Sequence, residues 1–197
     1  MTTFALNYDY RCPFAKNIHL HVLAALRAGA ELDVTFEPWT LSQGHRSPGE
    51  GDVWDNPERD SEHLALFASI SVRDQQPEFF PSVHEGLFRA RHHQSLRLNT
   101  WDEIVPVLKA AGVDVDAVKS DVATRRPAQV LADAQRRFEK VNTFGVPTFL
   151  IGDDATFVRY MTEPVSDENS AQIITSLVTL MASQGDLNEF KHTRLPA

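Results

Sequence analysis

The first 40 residues switch between the hydrophobic periods of a strand and of a helix. Residues 4–8 predict a short strand, and the spacing that follows predicts a helix beginning at Pro13. Pro is favoured at the first helical position because the N–H that it lacks has no partner inside the helix, so we expect Cys12 to be the N-cap residue. Residues 32–38 alternate again and predict a second strand. Two strands joined by such a helix favour a parallel βαβ unit.

Residues 60–142 show helical spacing throughout. Apolar side chains recur at intervals of three and four, and Thr100 with Glu103 forms a capping-box pattern at one predicted start. Pro127 is expected to open the last helix of this block. The preceding stretch, 42–56, contains three Gly and few regularly spaced apolar residues, which predicts a loop. We expect four or five helices here and no strand.

A period of two returns after Pro147. Residues 148–151 and 156–160 are short β-favouring runs, and the Gly-Asp-Asp between them is typical of a hairpin. A final helix is predicted over about residues 168–184. The second half of the pattern is therefore an antiparallel ββα unit.

Composition and charge argue against two classes of partner. The chain of 197 residues has a net charge of -8 and no run of Lys or Arg, which opposes the phosphate attraction that nucleic-acid binding needs. No segment approaches the roughly 20 apolar residues of a membrane span, and the N-terminus lacks the basic and apolar stretches of a signal peptide. We expect a cytoplasmic protein with no nucleic-acid or membrane partner. Its length suits one domain, with or without an insertion.

The single cysteine is the main candidate for chemistry. One cysteine cannot form an internal disulfide, which fits a reducing compartment. Cys12 is expected where a strand meets the N-terminus of a helix, and unpaired N–H groups and the helix dipole favour a thiolate there. Arg11 and Lys16 flank it and could add positive charge. The sequence therefore predicts an ionised, accessible thiol.

Two short motifs resemble signatures of the DsbA family. Cys12-Pro13-Phe14-Ala15 resembles the family's Cys-Pro-aromatic-Cys active site at the first strand-to-helix junction. Val146-Pro147-Thr148 resembles its X-cis-Pro motif just before the third strand. Both motifs occur at the expected positions in the order of predicted elements.

The resemblance implies an α/β architecture, a thioredoxin-like fold with an inserted all-helical subdomain. Residues 1–40 and 141–197 would form the thioredoxin-like domain, and residues 41–140 the inserted loop and helical subdomain. Some members of the family dimerise, so a homodimer is a possible assembly. The closing segment, residues 190–194, is similar to the basic tail of the actinobacterial branch that includes mycothiol-dependent nitroreductases.

The resemblance also implies roles for the motif residues. Cys12 would be the nucleophile, and Pro13 would belong to its activating surroundings. Next to a cis-Pro147, the backbone of Val146 would lie beside the sulfur, where an extended thiol substrate can pair like an added strand. The residues expected to bind substrate or thiol are Phe14, Ala15, Val146, Pro147 and Trp54.

The chain departs from the redox members of the family at Ala15, which occupies the place of the second cysteine. A single thiolate can form a mixed disulfide, but a second thiol must release it. We therefore expect a monothiol cycle with an external low-molecular-weight thiol, mycothiol or glutathione, acting on a small-molecule or disulfide substrate.

Two other functions remain open. Kappa-class glutathione transferases and chromene-carboxylate isomerases are similar in architecture, and by that resemblance Cys12 would stabilise a cofactor thiolate by hydrogen bonding without a covalent link. A non-catalytic binding module that lost redox function with the second cysteine is the third interpretation.

Aromatic and histidine residues supply the remaining candidates. Trp54, in a loop with two Asp, is the better candidate for a pocket wall or lid, whereas Trp39 follows a strand and suits core packing. The neighbouring histidines, at 19 and 21 and at 92 and 93, lack the helical spacing of three or four that paired ligands need. We expect no metal.

Overall fold

A computed structural model of the protein describes residues 2–189 and 191–192. The strands are β1 (Thr2–Tyr8), β2 (Leu32–Pro38), β3 (Thr148–Ile151) and β4 (Asp154–Phe157). The helices are α1 (Pro13–Arg27), α2 (Leu41–Gly44), α3 (Leu64–Gln75), α4 (Phe80–His92), α5 (Trp101–Ala111), α6 (Val115–Ala123), α7 (Arg126–Glu139) and α8 (Asp167–Ser183). Short 3-10 turns occupy Val53–Asp55, Pro57–His63 and Pro77–Phe79.

The four strands form one mixed sheet in the order β2-β1-β3-β4. β1 runs parallel to β2 along seven residue pairs, and β3 runs antiparallel to both β1 and β4. Helix α1 packs against both α8 and α4. Helices α2 to α7 all fall between β2 and β3 in the chain. The predicted thioredoxin-like fold of the DsbA type is confirmed.

The position of β1 inside the sheet explains why residues 4–8 could be predicted as a strand. Residues 4–8 of β1 are all buried, as expected for a strand with neighbours on both sides and helices over the sheet. The predicted N-cap of α1 is also confirmed: Cys12 has an extended backbone, and its sulfur accepts the N–H of Ala15 at 3.4 Å. Local chemistry thus fixes the start of the first helix.

Several elements differ from the sequence prediction. The expected loop over 42–56 contains part of α2 and a 3-10 turn. Helix α6 was not predicted, because it is only nine residues long and follows a turn capped by Asp114, whose carboxylate accepts the N–H groups of Asp116 and Ala117. The capping box at Thr100 does not form: that side chain makes no cap hydrogen bond, and Glu103 instead accepts the N–H groups of residues 97 and 99.

The second hairpin strand begins earlier than predicted. Ile151 pairs with Asp154 across a two-residue turn in which Gly152 has a φ of +61°. That left-handed conformation is accessible to Gly at little steric cost, so the chain reverses at once and β4 starts at Asp154. Beyond β4, the N–H of Val158 still donates to the C=O of Pro147 at 3.2 Å.

A chain of buried hydrogen bonds links β1, α1, α4 and the turn of Tyr10 inside the core. The C=O of Asn7 can only accept, so Nε2 of His19, 3.0 Å away, carries the proton. In a neutral ring, Nδ1 of His19 then accepts from Nε2 of His84 at 2.8 Å, and Nδ1 of His84 accepts from the hydroxyl of Tyr10 at 2.8 Å. Burial lowers the pKa of His19 to about 3 and that of His84 well below its usual range. Both rings are therefore neutral at physiological pH.

This histidine pair predicts loss of stability in mild acid. Unfolding exposes both rings and returns each pKa toward 6.5, so the unfolded chain binds more protons below that pH and the free energy of unfolding falls. Between pH 7 and pH 5 we expect a loss of about 2 kcal/mol for each histidine, measurable by urea unfolding at the two pH values.

The substitution H84Q should reduce the loss between these pH values by about 2 kcal/mol, because one buried titrating ring is removed. H45Q, which removes an exposed histidine, is the matched control. An unchanged pH dependence in H84Q would contradict the assignment.

Candidate functional site

Cys12 lies in a tight turn between the end of β1 and the start of α1. Its N–H donates to the C=O of Asp9 at 3.0 Å, and Pro13 follows as the first helical residue. The turn directs the sulfur toward the N-terminal N–H groups of the helix, and the N–H of Ala15 bonds to it. The first motif therefore forms the helix start that the sequence predicts.

The thiol is buried and neutral, which corrects the expectation of an ionised, accessible group. Cys12 is 8% exposed. Burial raises the pKa of the Cys12 thiol, and this outweighs the N–H groups of Ala15 and Phe14, which lower it; the nearby charge of Asp9 raises it further. The sequence reveals the helix N-terminus but not the depth at which it lies.

Neither flanking cation faces the sulfur. The guanidinium of Arg11 is forked onto the carboxylate of Asp9, with Nε at 3.0 Å from Oδ1, and also donates to the hydroxyl of Thr40. The ammonium of Lys16 is paired with Glu163. Because each of these positive charges is paired with a carboxylate, neither stabilises a thiolate at Cys12.

The Cys12 motif and the Val146-Pro147 motif are in direct contact. The Val146–Pro147 peptide bond is cis, and the C=O of Val146 accepts the S–H of Cys12 at 3.3 Å. Val146 is itself buried. The sulfur thus lies between a helix N-terminus, whose N–H groups favour a thiolate, and a carbonyl oxygen, which favours the protonated thiol.

Two aromatic side chains lie close in sequence to Cys12 and Val146. Phe14, half-buried next to Cys12, lies 5.5 Å below the guanidinium of Arg159. Phe144, two residues before Val146, is 73% exposed, and its ring lies 5.0 Å from that of Phe157. Sequence reasoning missed Phe144 and Arg159, although the distance of Phe144 from the Val-Pro motif was a usable signal.

Trp54 lies in different surroundings. It is 6% exposed, the guanidinium of Arg136 in α7 lies 5.2 Å from its ring, and Arg125 donates to its C=O at 2.7 Å. These contacts explain Trp54 as packing between a 3-10 turn and α7. Its role in binding a thiol stays a prediction.

The histidines at 21, 92 and 93 serve as hydrogen-bond partners. His21 bonds to the hydroxyl of Ser170 at 3.0 Å, His92 to the C=O of Tyr10 at 2.9 Å, and His93 to the carboxylate of Glu163 at 2.6 Å. Within residues 2–189 and 191–192, no group of three or more His, Cys, Asp or Glu side chains could hold a metal ion. In the same residues no helix is long and apolar enough to cross a membrane.

The basic tail predicted at 190–194 lies largely outside the described residues. The structure describes positions 191 and 192 of that segment but not 190, 193 or 194.

Comparison with known families gives one match. The profile of the DSBA-like thioredoxin domain matches residues 5–163, a span that contains both the Cys12 motif and the cis-proline loop. No curated protein matches the sequence.

Solved structures of similar fold cover nearly the whole chain. A probable DsbA oxidoreductase from Streptomyces coelicolor aligns with a TM-score of 0.64 at 13% identity, covering 100% of this chain and 94% of that one. The cytosolic disulfide reductase DsbM from Pseudomonas aeruginosa, with GSH, aligns with a TM-score of 0.63 at 14% identity, covering 90% and 100%. MdbA, a thiol-disulfide oxidoreductase from Actinomyces oris, aligns with a TM-score of 0.63 at 16% identity, covering 90% and 78%. At these identities the likeness shows a shared fold.

The buried thiol predicts slow alkylation of the native protein. Iodoacetamide reacts with thiolate, so the raised pKa and low exposure of Cys12 should make its labelling at pH 7 several-fold slower in the folded protein than in guanidinium chloride. Intact mass spectrometry over time measures both rates. Equal or faster labelling of the folded protein would show that the thiol is ionised and open.

Proposed function

Since the chain belongs to the DSBA-like thioredoxin domain family, we propose that it is a thiol-disulfide oxidoreductase whose single nucleophile is Cys12. The observation that carries the proposal is the contact of 3.3 Å between the Cys12 sulfur and the Val146 carbonyl. In that contact the thiol lies beside the backbone of the loop that precedes β3. Pro13 contributes by fixing the first helical turn, whose N–H groups receive the developing thiolate.

The reaction begins with transfer of the Cys12 proton to solvent. The Cys12 thiolate, stabilised by the N–H groups of Ala15 and Phe14, attacks one sulfur of a substrate disulfide. A bond forms between Sγ and that sulfur, the disulfide bond breaks, and the second sulfur leaves as a thiolate that takes up a proton.

The second half of the cycle needs an external thiol, because Ala15 cannot supply one. The thiolate of a small thiol attacks the substrate sulfur in the mixed disulfide, forms a new disulfide with it and releases the Cys12 thiolate, which regains its proton. The net reaction exchanges one disulfide for another and consumes one small thiol. Glutathione and mycothiol are the proposed partners, and the reducing cytoplasm is the compartment that supplies them. The structure of DsbM with GSH supports this choice by analogy, because the two proteins have a similar fold.

The substrate binds, in this proposal, on the rim formed by Phe14 and Phe144. The exposed ring of Phe144, two residues before Val146, and the half-buried ring of Phe14, two residues after Cys12, offer apolar surface to a substrate. The guanidinium over Phe14 belongs to Arg159 and adds a positive charge at the same rim. Entry of a substrate must displace the Val146 carbonyl from the thiol, because that contact covers the sulfur.

One observation favours a second function. The Cys12 S–H is neutral and already donates a hydrogen bond. In a transferase or isomerase it would donate instead to the thiolate of a bound thiol cofactor and never become covalently linked. The two functions differ in whether the sulfur must be a nucleophile.

Replacement of Cys12 by Ser separates these functions. In the proposed oxidoreductase, C12S should reduce turnover of a peptide mixed disulfide with glutathione or mycothiol by at least about 100-fold, because a serine hydroxyl does not form the intermediate. A hydrogen-bonding role would survive in C12S and be lost in C12A. Unchanged turnover of the mixed disulfide in both variants would overturn the proposal, because turnover would then not need the Cys12 sulfur.

Restoring the second cysteine should change the cycle from monothiol to dithiol. In A15C the new thiol belongs to the residue whose N–H already bonds the Cys12 sulfur, so we expect it to resolve the mixed disulfide internally. We expect intact mass to show an internal disulfide of A15C after oxidation, and release of the substrate's thiol without added small thiol. A15S controls for the added atom at this fully buried position. Dependence of A15C on small thiol equal to that of the unaltered protein would contradict the geometry.

A further inference from the structure

The backbone pairing between β1 and β3 ends one residue pair before Asn7 and Thr148. Ala5 pairs with Leu150 and Leu6 with Phe149, and there the pairing ends. At the next position the side chain of Asn7 takes over: its Oδ1 accepts the N–H of Thr148 at 2.6 Å, and its Nδ2 donates to the C=O of Gly145 at 3.2 Å. One amide group thus replaces the next pair of ladder hydrogen bonds.

These two hydrogen bonds bracket the dipeptide that touches the thiol. Gly145 precedes Val146, and Thr148 follows Pro147, so the amide of Asn7 holds the loop at both ends. The hydroxyl of Thr148 closes the same loop by donating to the C=O of Gly145 at 2.9 Å. The position of the Val146 carbonyl, 3.3 Å from the Cys12 sulfur, therefore depends on where Asn7 lies.

Asn7 is itself fixed from behind. Its side chain is fully buried, and its C=O accepts the Nε2–H of His19 at 3.0 Å. His19 continues through His84 to Tyr10, which is two residues before Cys12 in the turn. These hydrogen bonds connect the cysteine turn through His84 and His19 to the backbone of Asn7. The side chain of Asn7 then holds the loop whose Val146 carbonyl contacts the sulfur.

We propose that Asn7 is a positioning residue of the thiol site, one that sets the contact between the Val146 carbonyl and Cys12; the assignment rests on the proposed oxidoreductase function. It acts through Val146 and touches neither sulfur nor substrate. In the resting protein the contact keeps the thiol protonated and covered. During turnover the same clamp presents the Val146 backbone at the height where the backbone of the substrate can pair with it.

A purely structural role makes a different prediction. If Asn7 only stabilised the sheet, its replacement would lower the free energy of unfolding and leave the folded site unchanged. A positioning role requires that two properties of the folded site change in opposite directions: the thiol ionises more readily, because it loses the acceptor of its S–H and gains water, while binding of substrate weakens.

The test compares N7A with N17A in the full chain. Asn17 is a matched control, because it is also buried and its Nδ2 also donates to a backbone carbonyl, that of Tyr160 at 2.9 Å, which lies outside the loop. The thiolate fraction of Cys12 is followed against pH by ultraviolet absorbance and alkylation rate, under conditions where circular dichroism shows that each variant is folded. Turnover of the peptide mixed disulfide gives KM and kcat.

In N7A we expect the thiolate fraction at pH 7 to rise about 3-fold, the effect of losing one net hydrogen bond to the protonated form. The KM for the mixed disulfide should rise by about 10-fold, with a smaller change in kcat. N17A should lose stability without either change. An unaltered thiol titration and KM in folded N7A would overturn the assignment.

The variant N7D keeps the test informative if N7A does not fold. A protonated Asp retains both hydrogen bonds, accepting from Thr148 and donating to Gly145, whereas its carboxylate cannot donate. Relative to the unaltered protein, kcat/KM of N7D should therefore be close to normal in acid and fall about 10-fold as the new carboxyl ionises. A ratio that is independent of pH would overturn the clamp. Failure of the proposed function is recognised separately, because C12S would then retain turnover of the mixed disulfide.

Discussion

The site depends on one contact, in which the sulfur of Cys12 is held between the N-terminus of α1 and the carbonyl of Val146. The two groups act on the thiol in opposite ways: the N–H of Ala15 favours the thiolate, and the Val146 oxygen favours the proton. Burial adds to the second effect and raises the pKa of the thiol. The resting protein therefore holds Cys12 as a neutral, covered thiol, and the proposed reaction needs a substrate to displace the Val146 carbonyl first.

The surrounding structure holds that contact in place from both sides. On one side, Arg11 pairs with Asp9 and donates to Ser42 in α2, which fixes the cysteine turn against that helix. The positive charge of Arg11 is thereby neutralised by Asp9 and does not stabilise a thiolate at Cys12. On the other side, Asn7 holds the loop of Val146, and the buried histidine pair connects Asn7 to the helices inserted between β2 and β3. The helical insert therefore contributes to the geometry around the thiol through this chain of hydrogen bonds. Both histidines stay neutral in the folded protein in mild acid, so acid lowers stability by protonating them in the unfolded chain.

Local signals in the sequence predicted the parts of the site that depend on neighbours in the chain. Pro13 identifies the helix start and makes Cys12 the N-cap, because proline and N-cap preferences act over a few residues. The strands and the longer helices were predicted from periodicity for the same reason. Asn7 and His84 carried no local signal, since the partners of these two side chains lie more than 60 residues away and become neighbours only in the fold. The neutral state of the thiol was missed because burial is a property of the whole packing. The surroundings of Trp54 were missed because Arg125 and Arg136 lie more than 70 residues away in the chain.

The most direct test of the account is whether Cys12 becomes covalently linked to a small thiol. The protein is incubated with oxidised glutathione or mycothiol disulfide, and intact mass spectrometry is followed by addition of the reduced thiol. The account predicts a single adduct on Cys12 that forms in the unaltered protein, is absent from C12S and is released by the reduced thiol. A small thiol that binds to the folded protein while Cys12 stays unmodified would contradict it.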